Sequence, residues 1–592
     1  MENKNIYVGH RYVPKIIGVH DSTQAYEGLS IVTHEGTSYT SKKYVPEGVS
    51  ITNDEFWVVT GNYNVQVEHY RNEVNQIKKS QDNIISEISD VKTNHDDLKN
   101  DYEQTKEKIL NNTKSIFNIY DYGIEIDGVK DNTQTFKNVI TDIKNNGGGI
   151  LEIPYTDKPI IISESLDMPS NIVINGNGNT IKSKSSSNET TPLYFHSKQN
   201  IYINNLNIDG MKDLKDNQQS VSGGSNGITF THECKNIIVE NCYIYNTLEH
   251  GIHFISRPND LGTKMERCEN IIVSNCFFEN NGNVMWSNGN RGAGIMCFNG
   301  VRNIKIINNT FKDFVSIGAY IDSAYNTKER LEELYPNIKV HRDEYMGDNV
   351  HVHGNTFIMT KDYWVNNPTQ QGAGIALHGQ KNVIVSSNLI KLDIGRYRGI
   401  SISNGQEDSN TRNISIFNND IVSTHLGIQI ISANNVMIAN NKIHSITEHG
   451  IHGTMYVRSL RNINIFNNYI TTDVDNKHGV FIDNNSDILT IFNVVVSGNK
   501  IRLVSTGNVN SGVYVLGKCN RYEVQNNSVE NGKYGLRSSD NVAMTLFLYN
   551  TVTNCDNGIY ATSTGVVEFN TILNCERPLG LNVITPQYNV TE

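Results

Sequence analysis

Most of the chain, from about residue 117 to the end, repeats one pattern of apolar and polar positions. The repeated phrase is Asn-Ile-x-Ile-x-Asn-Asn-x-Ile, as at Asn303, Asn413 and Asn462, and a second phrase, Gly-Ile-x-Ile, follows after a variable loop. Apolar residues recur at every second position, which is the period of a strand that buries one face. A fixed strand phrase with variable loops, starting every 22 to 46 residues, is typical of a solenoid.

These strands predict a parallel β-helix over 113–592, with about a dozen stacked coils at the ordinary strand spacing. Short strands satisfy their backbone groups only if equivalent strands lie on both edges, and stacked coils supply those neighbours. The asparagine pairs are predicted at the turns, because Asn tolerates left-handed backbone angles and can bond to the Asn of the next coil. The fold class is therefore mainly β.

A different period governs residues 63–112. Apolar residues from Tyr63 to Ile109 alternate in steps of four and three, with no Gly or Pro between them, which predicts a coiled-coil neck. β-Branched residues at both seam positions favour trimers or tetramers over dimers. Residues 1–62 are rich in aromatic and turn residues, with short β-like runs around Ile31 and Tyr39. They predict a small β-rich domain that needs neighbouring copies or a docking partner.

Composition narrows the function. The chain has 51 basic and 62 acidic residues and a net charge of −11, which disfavours nucleic acid as a partner. A bound polyanion would need a local basic patch. The amino terminus lacks a signal-peptide core, and no run of about 18 apolar residues occurs, so we expect a product made in the cytoplasm with no membrane partner. The eight Cys form no CxxC pair and are spread over hundreds of residues, which argues against both a disulfide framework and a zinc ribbon. We predict no metal and no cofactor. His351 and His353 share a strand face, but no third metal ligand is fixed by spacing.

Two segments resemble known families. Asp121-Tyr-Gly-Ile-Glu-Ile-Asp-Gly-Val-Lys-Asp-Asn-Thr, followed by Gly147-Gly-Gly-Ile-Leu-Glu-Ile-Pro, resembles the opening motif of pectate-lyase-like right-handed β-helix proteins. The resemblance implies a capping helix from Thr133 to Ile143. The Ile124-Glu-Ile spacer is unusual for this motif, and Asn132 stands where a second Asp is common.

The first 110 residues, including Gln24-Ala-Tyr-Glu-Gly-Leu-Ser-Ile-Val and Asn53-Asp-Glu-Phe-Trp, resemble tail appendage proteins of small short-tailed phages of Gram-positive, including staphylococcal, bacteria. This resemblance implies a homotrimeric tailspike in the virion, made in the host cytoplasm and acting at the host cell surface. Residues 1–62 would attach it to tail or collar proteins, and the β-helix would bind, and in one version cut, a cell-wall glycopolymer such as teichoic acid.

If the Gly-Ile-x-Ile strands stack, the outward-facing residues at equivalent positions of successive coils form columns. Asp322 and His378 then become neighbours in adjacent coils, with Tyr320 beside them, and His253 falls in the same column as Tyr320. A carboxylate beside an imidazole has the parts for general acid–base catalysis, and a tyrosine can stack on a sugar. The competing interpretation is an ordinary polar ladder on an exposed face. The long loop after Asp322 carries Asp343 and Glu344, either of which could supply the second carboxylate of a glycosidase.

Arg396 and Arg398 precede the next Gly-Ile-x-Ile phrase, with Glu407 and Asp408 in the following turn. Arginine binds phosphate in a bidentate fork, so these residues are candidates for the basic patch that a polyanion requires. Plain solvent exposure and trimer contacts are the alternatives.

Three functions remain open from sequence alone. The first is a spike that binds the wall polymer without cutting it. The second is a depolymerase, acting as a glycosidase or a phosphodiesterase. A secreted polysaccharide lyase is disfavoured, because such an enzyme would carry a signal peptide and would not need a coiled-coil neck.

Overall fold

The structure is a computed structural model that describes residues 14–62, 78, 99–111, 113–187, 190–214, 225–259, 261, 263–283, 292–323, 346–363, 371–403, 411–456, 458–484, 486, 488–504, 509–539, 542–562, 565–581 and 589–591. The chain divides into two compact units, Met1–Asp101 and Tyr102–Glu592. Each unit is described by itself. No helix among the described residues is long and apolar enough to cross a lipid bilayer.

The first unit contains one four-stranded sheet, whose strands in order are Lys15–Val19, Ser30–His34, Thr37–Ser41 and Trp57–Asn62. The first pair is parallel and the other two are antiparallel. Both β-like runs noted in the sequence are strands. A small core of Tyr26, Val32, Val45, Ile51 and Trp57 lies under this sheet.

Of the predicted neck, the structure describes residue 78 and residues 99–111, all helical. The rest of the heptad series lies outside the described residues, so the coiled coil, the trimer and the three-domain division remain predictions. In the second unit, Ile109 is fully buried in a cluster with Val173, Tyr202 and Ile238 of the β-helix. The carboxyl end of the seam therefore packs on the first coils of its own chain.

Polar contacts reinforce this packing. The hydroxyl of Tyr102 donates to Glu240 Oε2 at 2.7 Å, and Tyr202 donates to the other carboxylate oxygen. Lys106 Nζ donates to the Tyr102 hydroxyl at 2.8 Å and lies 3.6 Å from the Glu240 carboxylate. A buried carboxylate is costly unless it is paired and hydrogen-bonded, and these three side chains supply that pairing.

The segment resembling the β-helix opening forms a strand at Ile116–Asn118, a 3-10 helix at Ile119–Tyr122 and an α-helix at Thr133–Asn145, so the predicted capping helix is present. A second 3-10 helix spans Lys212–Leu214. Asn132, unusual for the motif, accepts from the Glu125 N–H at 3.1 Å and donates to the carbonyls of Glu125 and Lys130, both at 2.9 Å. An aspartate could not donate these two bonds.

The rest of the second unit is a parallel β-helix with three sheets, and each coil contributes one strand to each sheet in turn. The first sheet consists of Ile116–Asn118, Gly149–Glu152, Ile172–Asn175, Gln199–Asn204, Lys235–Glu240, Glu269–Ser274, Arg302–Ile307, Gly347–His353, Gln380–Ser386, Arg412–Phe417, Asn434–Ala439, Arg461–Phe466, Phe492–Ser497, Tyr522–Gln525, Thr545–Leu548 and Gly565–Glu568. The second sheet consists of Ile160–Ile162, Thr180–Ser183, Asn207–Asp209, Tyr243–Tyr245, Phe277–Glu279, Thr310–Lys312, Thr356–Ile358, Leu389–Leu392, Asp420–Ser423, Lys442–Ser445, Tyr469–Thr472, Lys500–Leu503, Ser528–Glu530, Thr551–Thr553, Thr571–Leu573 and Val590–Thr591.

The third sheet contains the Gly-Ile-x-Ile phrases. It consists of Leu166–Asp167, Leu193–His196, Ile228–Thr231, Ile252–Ile255, Ala293–Phe298, Ile317–Asp322, Gly372–His378, Tyr397–Ser403, Ile428–Ile431, Ile451–Thr454, Val480–Asp483, Ser511–Leu516, Tyr534–Ser538, Asn557–Ala561 and Arg577–Leu581. A separate antiparallel pair, Arg257–Pro258 with Met265–Glu266, lies in a loop.

The three sheets contain 16, 16 and 15 strands, which exceeds the predicted dozen coils. The difference arises because several coils, such as those with Tyr522–Gln525 and Thr545–Leu548, lack the leading Asn-Ile pair. Inside, like residues stack. Phe278, Phe311 and Phe357 lie face to face with ring centroids 4.9 and 4.7 Å apart.

The predicted stacking of the asparagine pairs is confirmed by a buried inner ladder of Asn side chains at the turns. The Asn that begins each phrase forms an additional outer ladder, which was not predicted. The outer ladder has left-handed backbone angles, as at Asn435 with φ 52°, and its side chains bond from coil to coil at 2.8 to 3.2 Å. The inner ladder is buried and runs through Asn309, Asn355, Asn388, Asn419, Asn441, Asn468, Asn499, Asn527, Asn550, Asn570 and Asn589. Each inner amide also bonds to backbone, so both ends of the side chain hold adjacent coils together.

Candidate functional site

The candidate residues lie on the outward side of the third sheet, in the columns that the sequence predicts. Asp322 pairs with His378 in the adjacent coil, and Tyr320 pairs with Ala376. Alternation along the strands turns Ile321 and Leu377 into the core, where both are buried. The neighbouring side chains therefore point away from the core together.

A hydrogen-bonded group forms here. The Tyr320 hydroxyl lies 3.0 Å from Asp322 Oδ2 and 3.0 Å from His378 Nδ1. Because that hydroxyl has one proton and the carboxylate can only accept, Tyr320 donates to Asp322 and His378 Nδ1–H donates to Tyr320. The rings meet edge to face with centroids 5.1 Å apart. The sequence placed Asp322 and His378 side by side, whereas the structure inserts the tyrosine hydroxyl between them.

The outward side of these strands was expected to be exposed, but the Tyr320, Asp322 and His378 side chains are largely buried. Asp322 is only 6% exposed, and Tyr320 and His378 are half-buried. Burial raises the pKa of Tyr320 well above its usual value, and the Asp322 carboxylate raises it further. Burial also lowers the pKa of His378, as does Arg398, against the opposing effect of Asp322. At neutral pH the site therefore holds a neutral imidazole next to a protonated tyrosine.

Arg398 lies near the start of the next strand of the third sheet, and Arg396 directly precedes that strand. Arg398 Nη2 donates to Gln371 Oε1. Burial, together with the charge of Arg396, lowers the pKa of Arg398 to about 10. Within the described ranges, neither arginine forms an ion pair with a carboxylate. Two cations side by side without an acid between them form a place where an anion is favoured.

His253 belongs to the same column as Tyr320 but is not brought next to it. Met296 lies between them, which makes the separation about 10 Å at the usual strand spacing. The His253 imidazole is buried, Nδ1 lies 3.4 Å from Asn226 Nδ2, and burial keeps its pKa well below the usual value. His253 is therefore not part of the Tyr320 group.

Four predicted residues, Asp343, Glu344, Glu407 and Asp408, lie outside the described residues. The histidines of the first sheet make separate contacts: His351 Nε2 lies 3.0 Å from Asn349 Oδ1, and His353 Nδ1 lies 2.9 Å from Ser386 Oγ. Across the described ranges, no three His, Cys, Asp or Glu side chains are grouped as a metal ion would require.

The sequence analysis assigned no role to the continuation of this face. His425 is buried, and its Nδ1 has no hydrogen-bond partner among the described residues. Burial and then Arg398 and Arg396 lower the pKa of His425 to about 3, with smaller effects of Lys477 and His452. Farther along, His452 Nε2 lies 3.0 Å from Asp483 Oδ1. The column rule that found Tyr320 also reaches His452, but His425 precedes the Gly-Ile-x-Ile phrase and has no sequence signal.

Comparison with family models identifies the fold of part of the chain. Residues 341–529 match the family model described as "right handed beta helix region", so the body contains a right-handed β-helix domain. A curated relative, the SPbeta prophage-derived uncharacterized protein YomE of Bacillus subtilis (strain 168), is 25% identical over 147 residues. That match covers 24% of this chain and 22% of the relative, so the chain aligns with less than a quarter of the relative's length.

Among solved structures, bacteriophage CBA120 tailspike protein 3 is 10% identical, with a TM-score of 0.42, over 96% of this chain and 76% of the other. The amino-terminal fragment of bacteriophage Phi29 gene product 12 is 14% identical, with a TM-score of 0.41, over 80% and 91%. A family 28 exopolygalacturonase of Yersinia enterocolitica is 13% identical, with a TM-score of 0.40, over 81% and 78%. At these identities and scores, the similarities give no information about the site.

Proposed function

We propose that this chain is the receptor-binding spike of a phage tail, and that its β-helix binds a phosphate-containing polymer of the host cell wall, namely wall teichoic acid. The observation that carries the proposal is the pair Arg396 and Arg398. Arg398 lies on the third-sheet strand next to that of His378, and Arg396 directly precedes this strand. Within the described residues, no carboxylate pairs with either arginine. We further propose a homotrimer that attaches to the tail through residues 1–62.

The net negative charge of the chain is the reason why Arg396 and Arg398 point to a bound polyanion. With a net charge of −11, the molecule as a whole repels a polyanion. Binding must therefore depend on a few placed cations, and guanidinium groups match phosphate geometry in a bidentate way. The hydrogen bond from Arg398 to Gln371 fixes one arm of the fork before any ligand arrives, which reduces the ordering that binding requires.

Two further observations support a phage origin. The curated relative is described as prophage-derived, and the first 110 residues resemble phage tail appendage proteins. Both concern where such proteins occur and do not identify the ligand.

A second candidate function, cleavage of the bound polymer, is favoured by the Tyr320 group. The neutral His378 imidazole can take a proton from an attacking hydroxyl or water, and Tyr320 and Asp322 orient that ring and stabilise its charged form. This arrangement suits a phosphodiesterase. A glycosidase would need a second carboxylate about 5 to 9.5 Å from Asp322, which Asp343 or Glu344 would have to supply.

The binding proposal is tested with the full chain and purified poly(glycerol phosphate) and poly(ribitol phosphate) teichoic acids. We expect Arg398→Gln to weaken binding by about tenfold, the effect of losing one charge-assisted hydrogen bond. Arg502→Gln is the matched control, because Arg502 lies on the second sheet and pairs with Glu530 at 3.7 Å. If wild type binds neither polymer, or if both variants bind equally well, the proposal is wrong.

The cleavage proposal is tested by following polymer length during incubation with wild type and with Asp322→Asn. We expect chain shortening by wild type and its loss in the variant. Equal rates would remove the Asp322 group from the mechanism, and binding without shortening would leave the spike as an adhesin. Sedimentation of the full chain as a monomer would contradict the trimer.

A further inference from the structure

A second cationic group lies on the third sheet, toward its carboxyl-terminal end. The guanidinium carbon of Arg537 lies 4.3 Å from the ring centroid of Tyr514, 4.6 Å from that of Tyr534 and 6.0 Å from that of Tyr560. Tyr514, Arg537 and Tyr560 occupy equivalent positions in three successive coils. Stacking therefore fixes the arginine in a cluster of three tyrosines.

The tyrosine rings orient Arg537, but its N–H groups donate to no acceptor among the described residues. Within those ranges its guanidinium forms no ion pair either. By contrast, Arg502 and Arg521 in neighbouring coils have carboxylate partners, Glu530 at 3.7 Å and Glu523 at 2.9 Å. A guanidinium stacked on aromatic rings is held by cation–π attraction, while its N–H groups in the plane stay available to a ligand.

The position of Arg537 relates it to the first site. Arg537 is close enough to His478 to lower its pKa, and Arg398 is close enough to His425 to lower its pKa. Both histidines are also affected by Lys477 and His452, which lie between them along the chain. Strand register gives the same relation: the column of Arg537 continues through Tyr514, Phe481, His452 and Gln429 to Ser401, which lies on the strand of Arg398. The two arginines therefore lie on the same sheet, at two points along the axis.

The separation of the two arginine sites follows from the order of the strands. Five steps in the order of the third sheet separate strand Tyr397–Ser403 from strand Tyr534–Ser538. At about 4.8 Å per step, the two arginine sites are about 24 Å apart along the axis. One small anion cannot reach both.

We propose that Arg537, held by Tyr514, Tyr534 and Tyr560, is a second anion-binding subsite that takes a phosphate group of the same wall polymer. The polymer then lies along the β-helix axis, with one phosphate at Arg396 and Arg398 and another, several repeating units away, at Arg537. The half-exposed rings of Tyr534 and Tyr560 are available to the C–H groups of the polyol or sugar next to that phosphate. This inference rests on the proposed function, and it makes a multi-unit phosphate polymer, rather than a single sugar, the ligand.

The test uses the full chain and two poly(glycerol phosphate) probes, one too short to span both subsites and one long enough. We expect Arg537→Gln to weaken binding of the long probe by about tenfold, since linked subsites add avidity only when both are engaged. Arg502→Gln, which removes the same charge from the second sheet, should leave binding unchanged. Arg537→Lys should recover only part of the affinity, because lysine keeps the charge but loses the planar fork. The long probe should bind wild type at least about tenfold more tightly than the short one.

A second measurement avoids substitution. Phenylglyoxal modifies accessible arginines, and peptide mass spectrometry can follow Arg537 in the wild-type protein with and without the long probe. We expect the long probe to protect Arg537 and to leave Arg502 reactive. If the long probe binds and Arg398→Gln weakens it, but Arg537 is unprotected and Arg537→Gln binds like Arg502→Gln, this inference is wrong while the proposed function stands. If wild type binds neither probe, the proposed function itself fails.

Discussion

The inner asparagine ladder should bear a large share of local stability, and Asn441→Ala tests this directly. Asn441 is 1% exposed. Its Oδ1 accepts from the backbone N–H and the Nδ2–H of Asn419, at 3.0 and 2.9 Å. Its Nδ2 donates to the Ile416 carbonyl and to Asn468 Oδ1, both at 3.0 Å. One side chain thus connects three coils.

The size of the effect follows from what alanine leaves behind. The backbone N–H of Asn419 loses its acceptor, and the Ile416 carbonyl loses its side-chain donor, and both groups are buried. The Asn419 amide nitrogen keeps its bonds to the carbonyls of Val385 and Phe417, both at 3.0 Å. Each buried polar group left without a partner costs about 1 to 3 kcal/mol. We therefore expect a loss of about 2 to 4 kcal/mol, centred on the coils next to Asn441.

Amide hydrogen exchange read by mass spectrometry is the suitable assay, because stability in a solenoid is a sum of local terms. Protection of the peptide containing Asn419 should fall by about 30-fold or more, which is the factor equivalent to 2 kcal/mol. Asn464→Ala is the matched control, since Asn464 is exposed on the first sheet and has no side-chain bond among the described residues. Equal protection in the two variants would refute the reasoning.

Three further outcomes are expected. Burial keeps the pKa of His449 below its usual range and lowers that of His478 to about 3. Below about pH 6.5 these two histidines therefore gain protons in the unfolded chain but not in the folded chain. The free energy of unfolding should be unaffected by them above that pH and should fall below it by about 1.4 kcal/mol per pH unit for each histidine. Equal melting temperatures at pH 7.5 and 4.5 would contradict this. Gly427→Ala places a Cβ 2.4 Å from the Gly450 carbonyl oxygen and should destabilise the fold by about 1 to 3 kcal/mol, measured by thermal unfolding. Tyr320→Phe removes both hydrogen bonds of its hydroxyl and should lower unfolding stability by about 1 to 3 kcal/mol, and no change in melting temperature would mean that water replaces them.

The columns of the third sheet could be predicted because a β-helix has a simple rule. Once the Gly-Ile-x-Ile phrases are aligned, equivalent residues must lie in adjacent coils, and the observed pairing of Asp322 with His378 follows that alignment. The inner asparagine ladder follows for the same reason. Left-handed angles recur at the first Asn of each pair, as at Asn308, Asn418 and Asn467, where the phrase places the turn.

What the sequence could not provide is the environment of those columns. Asp322 was expected on an exposed face and is buried, because alternation along a strand shows which side chains leave the core but not what covers them afterwards. The same limit applies to the Tyr320 hydroxyl. Its place between Asp322 and His378 depends on side-chain rotation, which register does not determine.

Stacking also explains why an arginine without a carboxylate partner points to a bound anion in this molecule. Equivalent side chains lie about 4.8 Å apart, so like charges in one column repel, and the fold fills many such positions with neutral groups that bond to backbone. His449 Nδ1 accepts the His478 N–H at 2.9 Å, and His478 Nδ1 accepts the Ser511 N–H at 3.0 Å. Both rings must stay neutral to accept in this way, consistent with their lowered pKa values. Against that background, Arg398 and Arg537 keep a positive charge on the third sheet with no carboxylate partner among the described residues. They are therefore the residues whose charge a bound anion should neutralise.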